Sequence, residues 1–374
     1  MGDLINMATS ETALKNKRRQ ERWRVVYGAE IAKPRPPIAY VCRDLALAPG
    51  CSIFGGGGFS GKTTSLQALL LAVASGAKAW GHFDVEKGDV AHIDFEQGPD
   101  LTFLKYQRMA RHMKLDLHDV GKRLACSSLP EASLGAGPES ADELRWLLEG
   151  RRAAIVDAFR GAFPEAQEND SGARKYLDMV HRVGIEIGCA ILVIAHSRKL
   201  GDDADARSSL RGSSALFDAP QTVWMLTGAR GKPTRCENVK ERLRGKLRES
   251  FGLQINDVLG PGADGELDDE WGLSVDYVSP PDLQVAYDTD GGDDNSLAIN
   301  AQRVETLGGR ILGIVSRSPD GLGMAMILSM VQCRSNDAKA AIEMLERSGA
   351  ITREGSGATL SFVAVSEGRE PGVD

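Results

Sequence analysis

The chain has 374 residues, 42% of them hydrophobic and 26% charged, with a net charge of −7 and six cysteines. That length accommodates two or three domains, and the composition is that of an ordinary globular protein. No apolar run approaches the ~18 residues of a membrane span. Residues 1–24 are too polar for a secretory leader, and scattered cysteines with no Cys-x-x-Cys exclude a disulfide framework or a zinc site and fit a reducing cytoplasm. Negative charge opposes indiscriminate nucleic-acid binding and leaves room for a local basic groove.

Residues 11–24 are rich in Lys and Arg, with Leu14 and Trp23 among them. They read either as a solvated leader helix or as an arm that packs on a neighbouring subunit or touches phosphates. The proline-rich segment Lys33 to Ile38 marks a linker. From about residue 40 to 227, apolar runs alternate with helical patterns. Strands are expected at Cys51–Phe54, Asp89–Phe95, Ala153–Val156, Ala190–Ala195 and Thr222–Leu226, and helices at Ser65–Ala74, Leu101–Met113, Ala141–Glu149 and Arg174–Ile187. This predicts an α/β fold built on a parallel sheet covered on both faces.

Arg235–Lys240, Gly252–Val258 and Leu273–Tyr277 then read as successive strands, an antiparallel extension of that sheet. Gly260–Glu270 reads as a Gly/Asp-rich loop and Pro280–Asn295 as an acidic, Gly-rich flexible linker. Helical spacing returns over Gln302–Ser316, Gly323–Cys333 and Asp337–Ser348, the last capped by Ser335 or Asn336. Ile351–Arg353 and Thr359–Val363 flank a Gly-rich turn, so three helices followed by a hairpin resemble a winged helix. The expected organisation is an arm and linker over 1–38, an ATPase domain over 39–280, a linker over 281–300, a winged-helix-like unit over 301–366 and a disordered tail over 367–374.

The chemistry concentrates in three strand ends. Gly56 to Thr63 fits the Walker A pattern between an apolar run and a helix. The candidate nucleotide-binding residues are Gly56, Gly57, Gly58, Phe59, Ser60, Gly61, Lys62, Thr63 and Thr64. Glycines let successive N–H groups curl around a polyphosphate, and the helix N-terminus adds a favourable dipole. Lys62 suits the β- and γ-phosphates, and the Thr63 hydroxyl suits Mg²⁺. Ile93-Asp94-Phe95-Glu96-Gln97 ends the next strand, which places Glu96 to orient or deprotonate an attacking water. Ala153 to Asp157 is an apolar strand ending in Asp, the Walker B arrangement, with Asp157 as the second Mg²⁺ residue. The strand after it ends in His196, either a γ-phosphate sensor or a polar strand terminus.

Walker A, a strand ending in Asp-x-Glu, Walker B and a polar residue at the next strand end, in that order, resemble the RecA-fold ATPases. Within these the chain looks most like RepA-type hexameric helicases and their AAA-type relatives, and more distantly like DnaB-type replicative helicases. Leu210-Arg211-Gly212-Ser213-Ser214-Ala215, with Asp218-Ala219 and the strand Thr222–Leu226 after it, resembles the segment following the sensor in both groups. Lys240-Glu241-Arg242 is similar to the Lys-x-Arg pair of DnaB-like proteins. The resemblance covers residues 40 to 260 and implies a RecA-like core, ATP and Mg²⁺, a ring-shaped homo-oligomer expected to be a hexamer, single-stranded DNA in its channel, and no membrane partner. It also implies that Lys240, Arg242 or Arg211 reaches into the neighbouring subunit's site. The chain departs from DnaB in lacking a large N-terminal helical domain and in carrying the C-terminal winged-helix-like unit.

Channel loops would be Arg160–Ala173, with Arg160 and Phe163, and Arg198–Ser209, with Arg198, Lys199 and Arg207 among several acids. In the winged-helix-like unit Lys339 and Arg347 would face DNA, with Arg334 and Arg353 nearby. The expected function is an oligomeric, DNA-associated ATPase of replication. A regulatory, KaiC-like ring switch acting through the C-terminal unit is the alternative, and a small-molecule kinase would leave the Lys-x-Arg pair without a role.

Overall fold

A computed structural model describes residues 14–20, 22–166, 172–196, 214–228, 232–261, 267–288, 307–318, 321–331, 335–354 and 361–365. The chain divides into two units, residues 1–38 and 39–374. In the first, residues 14–20 are helical and Gly28–Ile31 forms one further turn. Glu30 pairs there with Lys33 at 2.5 Å and with Arg35 at 3.8 Å.

The second unit is organised by a nine-stranded sheet in the order β3-β2-β4-β5-β1-β6-β7-β8-β9. Its strands are β1 (Gly50–Gly56), β2 (Val90–Asp94), β3 (Leu124–Ser128), β4 (Ala153–Asp157), β5 (Ala190–His196), β6 (Thr222–Thr227), β7 (Thr234–Glu241), β8 (Phe251–Pro261) and β9 (Leu267–Val278). The first six are parallel; β7, β8 and β9 extend the sheet in antiparallel fashion. The division follows the sequence. β1, β2 and β4 are buried along their whole length, as strands covered on both faces must be, whereas β8 turns half-buried in its middle.

Helix α1 (Lys62–Ser75) lies against this sheet and is buried from Ser65 to Ala74, which accounts for its nearly unbroken apolar sequence. It shares a core with Trp80, Trp224, Phe251 and Leu253 on one face of the sheet. The other face is covered by α3 (Pro138–Leu148), the short α4 (Phe159–Ala162) and α5 (Ala173–Ile187), which pack Leu144, Phe159, Tyr176 and Val180 against Ile53, Val156 and Val193. α2 (Pro99–His112) follows β2, and α6 (Ser214–Asp218) precedes β6.

The α/β class, the mostly parallel sheet and its antiparallel extension are those expected from the sequence. Four local expectations need correction. β3 was not anticipated: its Leu-Ala-Cys-Ser-Ser sequence is half-buried and lacks the apolar run that marked its neighbours. The Gly260–Glu270 stretch is strand at both ends, since Gly260 and Pro261 pair with Asp268 and Leu267. Pro280–Asp288, read as the start of a linker, is helix α7; Leu283 is buried and Tyr287 donates to the Pro233 carbonyl at 3.0 Å. Helix α10 (Ser335–Arg347) takes in Ser335 and Asn336 rather than starting after them. The readings for residues 289–300 and 367–374 lie outside the described residues.

The C-terminal part contains α8 (residues 307–315), α9 (Met324–Val331), α10 and a small antiparallel sheet. Its strands, β10 (Leu322–Gly323), β11 (Ile351–Glu354) and β12 (Ser361–Ala364), run in the order β10-β12-β11. Leu307, Ile311, Ile327, Ile342, Leu345 and Phe362 form its core.

Candidate active site

The strand order creates the site. The chain leaves β1, passes through α1 and re-enters the sheet at β2, three positions away, with β5 and β4 filling the gap. Ligands of open α/β sheets bind in the crevice that such a jump opens beyond the carboxyl ends of the strands. β1, β2, β4 and β5 all end there, so Gly56–Thr63, Glu96, Asp157 and His196 converge from well-separated parts of the sequence. Register fixes the meeting: Gly56 is opposite His196, and Asp94 is opposite Asp157.

The Gly56–Thr63 loop has the backbone its glycines permit. Gly61 has a φ of 76°, and a side chain there would strike the Ile255 side chain at 2.5 Å. At Gly57 and Gly58 a Cβ would meet nothing within 4 Å, so the loop surface is open where phosphates would approach. Phe59 is fully exposed at the loop tip. Lys62 is buried and donates to the carbonyls of Gly56 at 2.9 Å and Gly57 at 2.6 Å and to Ser60 Oγ at 3.2 Å. Burial lowers its pKa, and Asp157 and Glu96 act against that shift. The lysine therefore belongs electrostatically to both carboxylates. Thr63 and Thr64, in the first turn of α1, are half-buried.

Glu96 sits two residues beyond β2, in a turn tied to Asp94. The Asp94 carboxylate is fully buried and accepts from the amides of Glu96 (2.9 Å), Gln97 (2.9 Å) and Gly98 (3.1 Å) and from the hydroxyls of Thr102 and Ser128 (both 2.6 Å). Burial raises its pKa, but the bonds from Ser128, Thr102 and the turn amides outweigh this and hold it below the usual carboxylate value. Glu96 Oε1 lies 3.1 Å from His196 Nε2, so the two expected residues are direct partners.

Asp157 is also fully buried, yet among the described residues neither of its carboxylate oxygens has a hydrogen-bond partner. His92 Nε2 lies 3.9 Å away, on a buried imidazole whose Nδ1 is 3.2 Å from Tyr106 Oη. A buried carboxylate left with open acceptor sites is costly unless something else uses them. Among the described residues no group of three or more His, Cys, Asp or Glu would chelate an ion. That suits Mg²⁺, which takes one or two protein oxygens and completes its shell with water and phosphate. Asp157 and Thr63 are the residues that would hold it.

Two other sets of expected residues fall elsewhere. Lys240 is opposite Val223, near the end of the sheet remote from Gly56, which pairs with Leu226. Its ammonium donates to the carbonyls of Phe217 and Asp218, and Arg242 donates to Asp218 at 2.6 Å, so both cap α6. Burial brings Lys240 down to about 8, assisted by Arg242 and opposed by Asp218. Within one chain neither cation reaches the crevice. Arg211 and the loop Arg198–Ser209 lie outside the described residues. Phe163, expected as an aromatic for base stacking, is instead fully buried against Phe159 and Tyr176, because α4 turns it into the core. Arg160 is exposed.

The sequence reading missed the supports of the site: Asp94 as an anchor, and Thr102, Lys105 and Ser128 around it. Polar residues in the buried positions of α2 were the one local signal available.

A glycine loop between a strand and a helix, with acidic residues at the carboxyl ends of neighbouring parallel strands, defines a P-loop NTPase. The chain belongs to the AAA domain family, whose profile matches residues 16–202. Among solved structures it is similar to the ATPase domain of a helicase, with 12% identity, 65% of this chain and 94% of that chain covered and a TM-score of 0.42. It is also similar to the RadB recombinase, with 16% identity, 61% and 91% covered and a TM-score of 0.41. No curated protein matches the chain by sequence. Among the described residues no helix is long and apolar enough to cross a membrane.

Proposed function

We propose that this P-loop NTPase is an ATP-hydrolysing, DNA-associated ring protein with a RecA-like core, a RepA-like replicative helicase or replication-initiation ATPase working as a hexamer on single-stranded DNA. The observation that carries the reading is the 3.1 Å contact between Glu96 and His196 in a crevice shared with Lys62 and the unpartnered Asp157. ATP binding requires Lys62 to exchange the Gly56 and Gly57 carbonyls for β- and γ-phosphate oxygens. Mg²⁺ bound at Thr63 and Asp157 supplies charge neutralisation on those oxygens. Glu96 accepts a proton from the attacking water, and His196, bonded to the same carboxylate, couples Glu96 to the loop that follows β5.

Lys240 and Arg242 lie too far along the sheet to act in their own chain, which supports a role for them, or for Arg211, at a neighbouring copy. The basic arm over 11–24 and Arg160 offer further contacts for phosphates. The C-terminal part, read as a winged helix, favours a protein contact over DNA. Arg347 pairs with Glu343 at 3.3 Å, and Arg353 pairs with Glu346 at 2.5 Å, which spends their charge within the unit. That observation keeps the ring-switch reading as the second one. Buried, unpaired thiols such as Cys51 and Cys189, each pushed up to about 12 by burial, fit a reducing cytoplasm.

Turnover measured with and without single-stranded DNA tests the proposal. ATP hydrolysis should rise with single strands, and Glu96→Gln should keep ATP binding while lowering turnover about 10²- to 10⁴-fold. Mixing Glu96→Gln with Lys240→Ala or Arg242→Ala should restore activity if a cation acts across subunits. Turnover indifferent to single strands would discard the helicase reading in favour of the switch.

A further inference from the structure

Helix α2 buries a stripe that ought to be apolar. Thr102, Tyr106 and Met109 recur at helical spacing on the face turned to the sheet, and two of the three are polar. Each of those two is bound to a residue of β2: Thr102 Oγ1 to Asp94 at 2.6 Å, and Tyr106 Oη to His92 Nδ1 at 3.2 Å. Lys105 lies on the same side, three residues after Thr102 and one before Tyr106. It is half-buried, although lysine ordinarily carries its charge out to water. Its Nζ donates to Gln97 Oε1 at 2.7 Å. Burial lowers its pKa, and the charges of Asp157 and Asp94 resist that shift.

We propose that Lys105 is a positioning residue for nucleotide hydrolysis, which pins the Glu96 turn through Gln97 and holds positive charge beside Asp157. The proposal rests on the reading of this crevice as a Mg²⁺–ATP site. Glu96 is then fixed from two sides. Asp94 holds the backbone of residues 96–98, and Lys105 holds the side chain next in sequence. The second consequence is electrostatic. Asp157 has no hydrogen bonds to stabilise its charge, so the ammonium beside it competes with a divalent cation for the same carboxylate.

Removing Lys105 should therefore slow hydrolysis and at the same time tighten binding of a divalent ion. A residue that merely supported the fold would weaken both. The test uses the full chain, with Mn²⁺ affinity read by electron paramagnetic resonance in the presence of a non-hydrolysable ATP analogue. For Lys105→Met, kcat should fall about tenfold, KM for ATP should stay within about threefold, and Mn²⁺ should bind several-fold more tightly. Lys105→Arg should return both readouts toward wild type. Gln97→Ala removes the anchor and leaves the charge, so it should lower kcat with Mn²⁺ affinity unchanged; this variant decides the matter if Lys105→Met does not fold. Wild-type turnover in Lys105→Met, or Mn²⁺ affinity that falls with kcat, would overturn the role, as would wild-type turnover in Gln97→Ala. Absence of any Mg²⁺-dependent hydrolysis by the wild-type chain would instead overturn the reading of the site.

Discussion

Asp94 and Asp157 face each other in register at the tips of adjacent parallel strands, and both are fully buried. The fold treats them in opposite ways. Five donors converge on Asp94, whereas none among the described residues reaches Asp157. A carboxylate that accepts several hydrogen bonds is stabilised in its charged form and holds its surroundings rigid. One without such bonds costs stability and keeps its oxygens available. The tip of β2 is therefore built to hold a loop, and the tip of β4 to receive a ligand. Side by side, they divide a task that sequence motifs assign to acidic residues indiscriminately.

The comparison breaks most sharply if the two are replaced alike by asparagine. Asp157→Asn should lower Mg²⁺-dependent ATP turnover by about 10²-fold or more, because it takes the charge from the carboxylate that would hold the ion. Its thermal stability in the absence of divalent ions should be unchanged or raised, since an unbonded buried charge is replaced by a neutral amide. A melting temperature well below wild type would show that Asp157 is structural and would erase the distinction between the strand tips.

That distinction was only half legible in the sequence. The P-loop announces itself because its glycines, lysine and threonine act within one short segment whose backbone their own chemistry determines. β1, β4 and β5 were readable because strands buried on both faces become uninterrupted apolar runs. Glu96 and Asp157 were found from their places at strand ends in that order. The anchoring role of Asp94 depends on Ser128, which arrives from β3, an edge strand too polar and half-buried to be noticed. Lys105 reads in sequence as one more surface cation of an amphipathic helix, and only the packing of α2 turns it toward Gln97. Phe163 failed for the converse reason: a loop aromatic was taken as exposed, and a single turn of helix buries it.

Asp94→Asn should have the second-largest effect, with the opposite balance. Its amide group would point N–H at donors that need an acceptor, leaving at least one of them unpaired. Such a loss costs about 2–5 kcal/mol in a buried network. Hydrolysis should fall because the Glu96 turn loosens, while Mn²⁺ binding at Asp157 should persist. The pH dependence follows from the lowered pKa of Asp94. Its bonds stabilise the folded chain fully above the unfolded carboxylate value of about 3.9, and that contribution disappears as pH falls below it toward the folded pKa. Chemical denaturation of wild type should weaken through that acid range more steeply than that of Asp94→Asn. Equal slopes would mean that Asp94 does not carry the acid sensitivity.

The smallest effects should come from trimming single donors, and their order tests how the anchor works. Thr102→Val keeps shape and removes one fully buried hydroxyl from Asp94, so about 1.5–3 kcal/mol of charge-assisted bonding is at stake. Ser128→Ala removes an equally short bond at a half-buried site, where water can replace the donor, and should cost less. Thr102 stands on α2 and Ser128 on the edge strand. If burial governs the anchor, denaturation should rank Thr102→Val below Ser128→Ala, with turnover reduced only a few-fold in each. The reverse order would mean that the edge strand, and not the helix, holds the Glu96 turn in place, and the support of the site would then have to be sought in β3.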